Sequence, residues 1–539
     1  MRSPWSLAPA CSVLGALNAA GAAELGPATI PCFGLYEASV EVNPALTGNP
    51  FTDVEVQAVF TPDGGAPIEV EGFCDESAGR VFRVRFCPAI AGTRYTFALT
   101  TNALPGQTFS GSFRTTAPEG MEPVIVDPEH PKHFVSAGSG RPFHHLGLTA
   151  YHLLDPSHTD ADIEAVLDYC VQHGFNKVRF LLTGYPRDND TRVPGHPSYR
   201  PAEQWTTGDP WRLPNYGAPP GGLSPLPAWL GEAQAYDFTR PNVAYWQRVD
   251  RAVAAMRERG IVATCIFTIE KQDLPMEYGA LTDAELLLYR YAVARLAAYS
   301  NVWWDLGNEH NEYRSPEWAA EMGARVKAWD PYDRLCSAHA YAEWVYGDQP
   351  WADFIVAQQY GTPAEVNAWA LKYAEIPKPY VNEEYGYEGG RDEPGHGMNA
   401  DWVRRCHWAI ALAGGHATYG DWSAGTPFYT GTVGAGQAPA QLRHLREVLE
   451  AITFATMTPN NALVGENALC LASAGEAYLV YLPDGGETTL RLRPAAGGYV
   501  LTWIDPRTGD RAASRTVQGE SVALTAPGAG DWTALLVAR

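Results

Sequence analysis

Asn301-Val-Trp-Trp-Asp-Leu-Gly-Asn-Glu309 is a short apolar run that stops abruptly at a carboxylate. Lys378-Pro-Tyr-Val-Asn-Glu-Glu384-Tyr-Gly repeats the pattern, and its Glu384 lies 75 positions after Glu309. Both read as buried strands that deliver a glutamate to an exposed end. A pair of such carboxylates suits cleavage of a glycosidic bond. One donates a proton to the leaving oxygen while the other attacks or stabilises the sugar carbon from the opposite face.

Around these two segments the text alternates strand and helix from about residue 128 to 457, the pattern of a parallel sheet with helical crossovers. Strands are predicted at 143–150, 175–182, 261–268, 302–307, 334–339, 354–360, 379–383 and 417–422. A helix is predicted over 161–174. Another over 245–256 carries Trp246, Val249, Val253 and Met256 at helical spacing and stops at Gly260. Eight strands within a span close to the roughly 250 residues such a barrel needs predict a (β/α)8 TIM barrel. The Pro-, Gly- and Trp-rich stretch 185–241 is read as an insertion walling the cleft.

Outside the barrel the grammar is period two. Ala38-Ser-Val-Glu-Val, Arg80-Val-Phe-Arg-Val-Arg-Phe and their neighbours predict an N-terminal β-sandwich. Ala477-Tyr-Leu-Val-Tyr-Leu, Tyr499-Val-Leu-Thr-Trp-Ile and the Asp505-Pro-Arg-Thr-Gly turn predict a small C-terminal one. The expected fold class is therefore multidomain: a leader at 1–23, a β-sandwich at 24–120, the barrel at 121–457 and a second β-sandwich at 458–539. A length of 539 residues accommodates this division at roughly 150 residues per domain.

Composition narrows the partners. A formal charge of −22 repels phosphate backbones and anionic lipid, so nucleic acid is not expected. No run of about 18 apolar residues indicates a membrane span. Arg2 and the small residues up to Ala20-Gly-Ala-Ala23 loosely resemble a secretory signal, interrupted by Pro4 and Pro9. The protein is secreted or periplasmic if that signal is real, and cytoplasmic otherwise. Nine cysteines without CxxC or His-rich spacing make neither a disulfide framework nor a zinc site. Cys74 and Cys87 sit on neighbouring predicted strands, as two buried thiols or, in an exported protein, as a pair. Asp188-Asn-Asp190 reads as a solvated turn before a calcium loop, and no cofactor or metal is expected.

The residues that could carry chemistry end different strands. Glu309 and Glu384 face each other across the expected barrel mouth. Glu383 competes with Glu384, and strict alternation would point the two in opposite directions. Glu388 is read as a rim residue or a helix cap. Trp422 is placed under a sugar ring, and His145 and Tyr151, on and after strand one, within reach of hydroxyls.

Phe175-Asn-Lys-Val-Arg, the Asn308-Glu309 pair and Lys378-Pro-Tyr-Val-Asn-Glu-Glu-Tyr-Gly-Tyr-Glu-Gly resemble clan A glycoside hydrolases, and more narrowly the apiosidase-like group and its relatives. The similarity covers nearly the whole chain. It implies a retaining enzyme with Glu309 as general acid/base and Glu384 as nucleophile. It further implies that Asn308 binds the hydroxyl beside the reacting carbon and Arg179 pairs with the nucleophile, with His339 and Tyr360 as hydrogen-bonding supports. Near strand eight these relatives commonly carry a His-Gly-Glu segment, whereas this chain reads His416-Ala-Thr-Tyr-Gly-Asp421-Trp422. That departure leaves sugar selection open. An exo-acting glycosidase on an oligosaccharide or small glycoside is the expectation. The alternative is a carbohydrate-binding or scaffold protein with a dead site, and a uronate lyase lacks an evident base constellation.

Overall fold

The computed structural model describes residues 20–43, 48–154, 158–183, 228–232, 235–269, 281–340, 345–389, 397–422 and 433–539. Most of the 185–241 insertion, Asp188-Asn-Asp190 and the first part of the expected leader lie outside the described residues.

The N-terminal unit consists of two sheets. One orders Ala20–Glu24, Tyr36–Asn43, Val81–Phe86 and Phe73–Cys74; the other orders Thr29–Pro31, Thr108–Thr116, Arg94–Thr101, Val56–Pro62 and Ile68–Glu71. Alternate residues turn inward, so Tyr36 and Phe86 of the first sheet meet Phe60 and Phe113 of the second. The Phe60–Phe86 and Tyr36–Phe113 rings stack at 4.1 and 4.2 Å. Residues 20–23, expected at the end of a leader, pair instead with Tyr36–Asn43.

Eight parallel strands follow: Gly147–Thr149, Lys177–Leu181, Val262–Ile266, Val302–Asp305, Cys336–Ser337, Ile355–Gln358, Tyr380–Glu384 and His416–Trp422. In sheet order they run five, four, three, two, one, eight, seven, six. The gap between five and six is bridged by Asp353 N–H to Cys336 O at 2.8 Å, Cys336 N–H to the Asp353 carboxylate at 2.7 Å and Ser337 Oγ to Phe354 O at 2.8 Å. This is the expected barrel, nearly closed.

Strands one and five are shorter than their apolar runs suggest. At strand one the reason is local: the Asn176 side chain donates to His144 O at 2.8 Å and accepts from Leu146 N–H at 2.9 Å. An amide side chain thus satisfies backbone groups that a ladder would otherwise pair.

Along each strand one set of side chains packs outward on the helices and the alternate set fills the barrel. Val178, Phe180, Ala263, Cys265, Val302 and Trp304 belong to the outer core, each larger one stabilising by about 1.5–3 kcal/mol on burial. Lys177, Arg179 and Leu181 face inward. The helices begin where caps dictate: Thr159 and Asp162 form a capping box at Asp160–His173, which ends at Gly174 with φ 77°. Val243–Glu258 and Ala438–Glu450 supply further barrel helices.

The lower mouth of the barrel is stoppered by a hairpin of Val124–Val126 and Phe134–Ser136, whose Val124 and Phe134 pack on Val262, Trp303, Leu335 and Val381. Buried charges tie the units together. Arg85 of the N-terminal unit bonds Asp250 at 2.7 Å, and Arg295 bonds both Asp250 at 2.6 Å and Asp75 at 2.8 Å. At the other end Arg404 on helix Ala400–Leu412 bonds Asp531 at 2.6 Å.

The C-terminal unit, expected as a small sandwich, is a six-stranded antiparallel sheet with a separate two-stranded ribbon, Glu487–Arg491 with Ser521–Thr525. Leu490 and Leu524 of the ribbon pack on one face of the sheet. Leu479, Tyr481 and Leu535 on the other face pack against Trp408 and Leu445 of the barrel helices. Described cysteines, Cys74 and Cys87 among them, are buried free thiols. Among the described residues no helix is long and apolar enough to cross a membrane, and no group of three or more His, Cys, Asp or Glu could hold a metal ion.

Candidate active site

The carboxyl ends of the strands bring Tyr151, Arg179, Asn308, Glu309, His339, Gln358, Tyr360, Glu384 and Tyr387 to one mouth. Glu384 ends strand seven and is buried. Tyr151 OH lies 2.6 Å from its Oε1 and Tyr360 OH donates to its Oε2 at 2.9 Å. Tyr387 hydrogen-bonds it as well. Arg179 Nη1 stands 3.6 Å from Oε1. Burial, reinforced by the negative charge of Glu384, raises all three tyrosines well above the usual phenol range, so each keeps the proton it donates.

Arg179 holds several of these groups at once. It reaches Asp305 at 3.2 Å, Tyr151 OH at 3.1 Å and Asn308 Oδ1 at 2.5 Å, and it contacts His339 Nδ1. With Oδ1 turned to Arg179, the Asn308 amide directs its donor end away from the guanidinium. Burial, with Arg179 beside it, drives His339 well below its usual range, so the ring is neutral.

Glu309 follows strand four in a left-handed conformation, φ 44° and ψ 37°. For a residue with a Cβ this costs about 1–3 kcal/mol, a strain that recurs where side-chain aim matters. It lies just before the short helix His310–Glu312, and Gln358 Nε2 donates to its Oε1 at 2.9 Å. Gly307 allows the tight approach of this loop: a Cβ there would lie 2.6 Å from Tyr313 OH. Behind the loop His310 Nε2 pairs with Tyr346 OH at 2.8 Å.

Glu383 sits one layer deeper. Lys177 bonds its Oε1, and Thr418 Oγ1 donates to its Oε2 at 2.5 Å. Burial alone would raise this carboxyl; the Lys177 and Arg179 charges and the hydrogen bonds from Lys177 and Thr418 outweigh it and hold the group below the usual range. Contrary to strict alternation, Glu383 and Glu384 do not point in opposite directions. The register of strands six and seven shifts, with Ala357 opposite Asn382 but Gln358 opposite Glu384. This bulge turns both glutamates inward.

Trp422 ends strand eight and packs with Tyr151, Leu181, Ile266, Ile269 and Tyr387, an apolar wall of the same mouth. Glu388 takes the helix-cap option: it accepts from Gln437 N–H at 2.7 Å and Ala438 N–H at 2.9 Å at the start of Ala438–Glu450.

His145 is not brought to the mouth. It precedes strand one, buried against Phe134, Trp303 and His416 beside the hairpin stopper at the opposite end of the barrel. Strand one starts at Gly147, so a residue ahead of it faces the lower end, where substrate-binding loops are not formed.

Gln358 and Tyr387 were missed from the sequence. Gln358 had a visible signal, since Gln358-Gln359-Tyr360 places polar residues at the end of an apolar strand. Tyr387 follows Gly386, whose φ of 146° turns the chain back, a feature only the backbone reveals.

A nearly closed parallel barrel carrying a set of acids and phenols at its carboxyl-end mouth defines the class, and the chain is a glycoside hydrolase. It belongs to the apiosidase-like family: the model described as "Apiosidase-like, catalytic domain" matches residues 129–426, more than half of the chain. Residues 29–102 match a domain of unknown function, DUF5060. No curated protein matches the chain.

Among solved structures, a candidate glycoside hydrolase from Bacteroides vulgatus ATCC 8482 is 21% identical with a TM-score of 0.75, covering 95% of this chain and 100% of its own. A glycoside hydrolase family 5 protein from the same organism is 17% identical with a TM-score of 0.57, covering 78% of this chain and 95% of its own. At these identities the likeness is one of fold.

Proposed function

We propose that this chain hydrolyses a glycosidic bond of an oligosaccharide or small glycoside with net retention, Glu384 acting as nucleophile and Glu309 as general acid/base. The observation that carries the reading is the unequal surroundings of the two carboxylates. Glu384 receives hydroxyl donors from Tyr151, Tyr360 and Tyr387 with Arg179 close by, partners suited to a carboxylate that only accepts. Glu309 is half-buried and takes an amide donor from Gln358, a setting suited to exchanging a proton.

In this mechanism Glu384 attacks the anomeric carbon as Glu309 gives its proton to the departing oxygen. A glycosyl ester forms, and Glu309 then takes a proton from the water that displaces Glu384, restoring both groups. Asn308 binds the hydroxyl beside the reacting carbon, and Trp422 with Tyr387 walls the ring. Arg179 and Tyr360 hold the nucleophile in place. Exo action belongs to the same proposal, and its sign is release of a single sugar from the first turnover onward.

The test is turnover of a panel of nitrophenyl furanosides and pyranosides. On the substrate that responds, Glu309→Gln and Glu384→Gln each lower kcat by orders of magnitude. With azide, Glu384→Gly yields a glycosyl azide of inverted configuration and Glu309→Ala one of retained configuration. Full activity of either Gln variant would overturn the assignment.

A further inference from the structure

The hydrogen bonds that link Arg179, His339, Gln358 and Glu309 have a fixed direction. An arginine side chain has donors and no acceptor, so where Arg179 Nη2 meets His339 Nδ1 that nitrogen carries its lone pair. The ring is neutral, which leaves its proton on Nε2, 2.8 Å from Gln358 Oε1. Gln358 Oε1 must therefore accept. The amide nitrogen then occupies the other side, 2.9 Å from Glu309 Oε1 and 3.0 Å from Tyr360 OH. The Tyr360 proton is engaged by Glu384 Oε2, so its oxygen accepts from Gln358. Reversing the amide would set donor against donor at His339 Nε2 and acceptor against acceptor at the Tyr360 oxygen and at ionised Glu309, leaving those buried contacts without a hydrogen bond.

We propose that Gln358 is a positioning residue for the acid: with its amide oriented by Arg179 through His339, it occupies Glu309 Oε1 as a donor, so the transferable proton of Glu309 is carried on Oε2. The proposal rests on the assignment of Glu309 as acid/base. No atom changes hands in this step beyond the proton already described. When Glu309 is ionised between the two half-reactions, the same N–H bond persists and strengthens, since a carboxylate is the better acceptor. The groups facing this unit are Tyr151 and Tyr360, which both sense Glu309, with Glu384 and Arg179 beyond them and neutral His310 following in the chain.

The experiment compares Gln358→Met and Gln358→Glu with the parent on aryl glycosides of one sugar, that of the most active nitrophenyl glycoside, with leaving groups from dinitrophenol to phenol. Loss of the aimed donor should lower kcat/KM by about 10–100-fold for the phenyl glycoside. The dinitrophenyl glycoside, which needs little protonation, should change by less than about threefold. The basic limb of the pH profile should move to higher pH in Gln358→Met, because a donor to the ionised form is gone, and further in Gln358→Glu, which adds a like charge. Equal losses on all leaving groups with an unmoved basic limb would overturn the proposal in favour of a structural role. Should the Met variant fail to fold, the Glu variant, of nearly unchanged size, carries the same two readouts. Glu309→Gln run alongside separates the two ideas: if it shows no leaving-group dependence, the assignment of Glu309 fails; if it does and the Gln358 variants do not, Gln358 alone is misassigned.

Discussion

Glu383 and Glu384 are adjacent in the chain, yet Glu383 bonds Lys177 while Glu384 approaches Arg179, two residues that share one face of barrel strand two. The bulge opposite Gln358 makes this possible. It stacks two carboxylates in successive layers of the barrel, the lower one neutralised by a lysine and the upper one ringed by phenols.

Lys177→Met should leave Glu383 as an unpaired buried charge. The expected loss is about 3–5 kcal/mol of stability, and the double variant Lys177→Met, Glu383→Leu should recover much of it. Urea unfolding followed by tryptophan fluorescence reads both, and a double variant no more stable than the single one would refute the pairing.

Tyr360→Phe removes the hydroxyl that donates to Glu384 and accepts from Gln358. A hydrogen bond to a charged group contributes about 1.5–3 kcal/mol. The variant should lose kcat by a factor of ten or more with little change in melting temperature. An unchanged kcat would show that this bond does not serve the chemical step.

Acid should weaken the fold well above the usual carboxylate range. Burial pushes His133 and His144 down to about 4, and drives His145 and His416 well below their ordinary value. Facing them are Lys132, His130 and Asp127, Lys177, His407, and Arg446 with Glu450. Folded-state values lie below the unfolded value, so between about pH 6.5 and 4 the unfolded chain binds protons the folded one does not. Stability therefore falls with pH across that window, by roughly 1.4 kcal/mol per pH unit for each excess proton. Glu285, raised to about 6 by burial, works in the opposite sense between its unfolded value and 6. Calorimetry from pH 7 to pH 5 should show a falling melting temperature, with a shallower slope in His133→Phe; a flat profile would contradict the account.

Asp531→Asn should loosen the seam between the barrel and the C-terminal unit. Its carboxylate receives Arg404 at 2.6 Å and Tyr481 OH at 2.9 Å, all buried. Removing one charge of a buried pair costs about 3–5 kcal/mol. A lowered unfolding midpoint is expected, while an unchanged one would mean that the sheet's apolar face suffices.

The barrel was legible because its signals are local. Apolar runs bounded by polar ends, caps such as Thr159 and stops such as Gly174 depend on neighbours a few residues away, and a strand that ends at an acid announces itself. Tyr151, Arg179, Asn308, His339, Tyr360 and Trp422 were anticipated from strand ends and from resemblance, and they converge on the expected mouth. His145 was placed wrongly because a histidine two residues ahead of a strand reads like one within it. The boundary depends on Asn176 capturing the backbone on either side, a contact across 30 positions.

What the sequence alone determined is the order of the elements and the parallel barrel they imply, since these follow from hydrophobic period and chain direction; between Glu383 and Glu384 it left the choice to resemblance. Tertiary structure decided how neighbours in the chain divide their roles. The side-chain period of a strand is two, so one extra residue reverses every facing beyond it, and whether Glu383 and Glu384 oppose or stack depends on a bulge against a strand 25 residues away. The direction of the chain from Arg179 through His339 and Gln358 to Glu309 is likewise set by which donors meet in space, because hydrogen-bond polarity is a property of the contact and leaves no mark on the residues that make it.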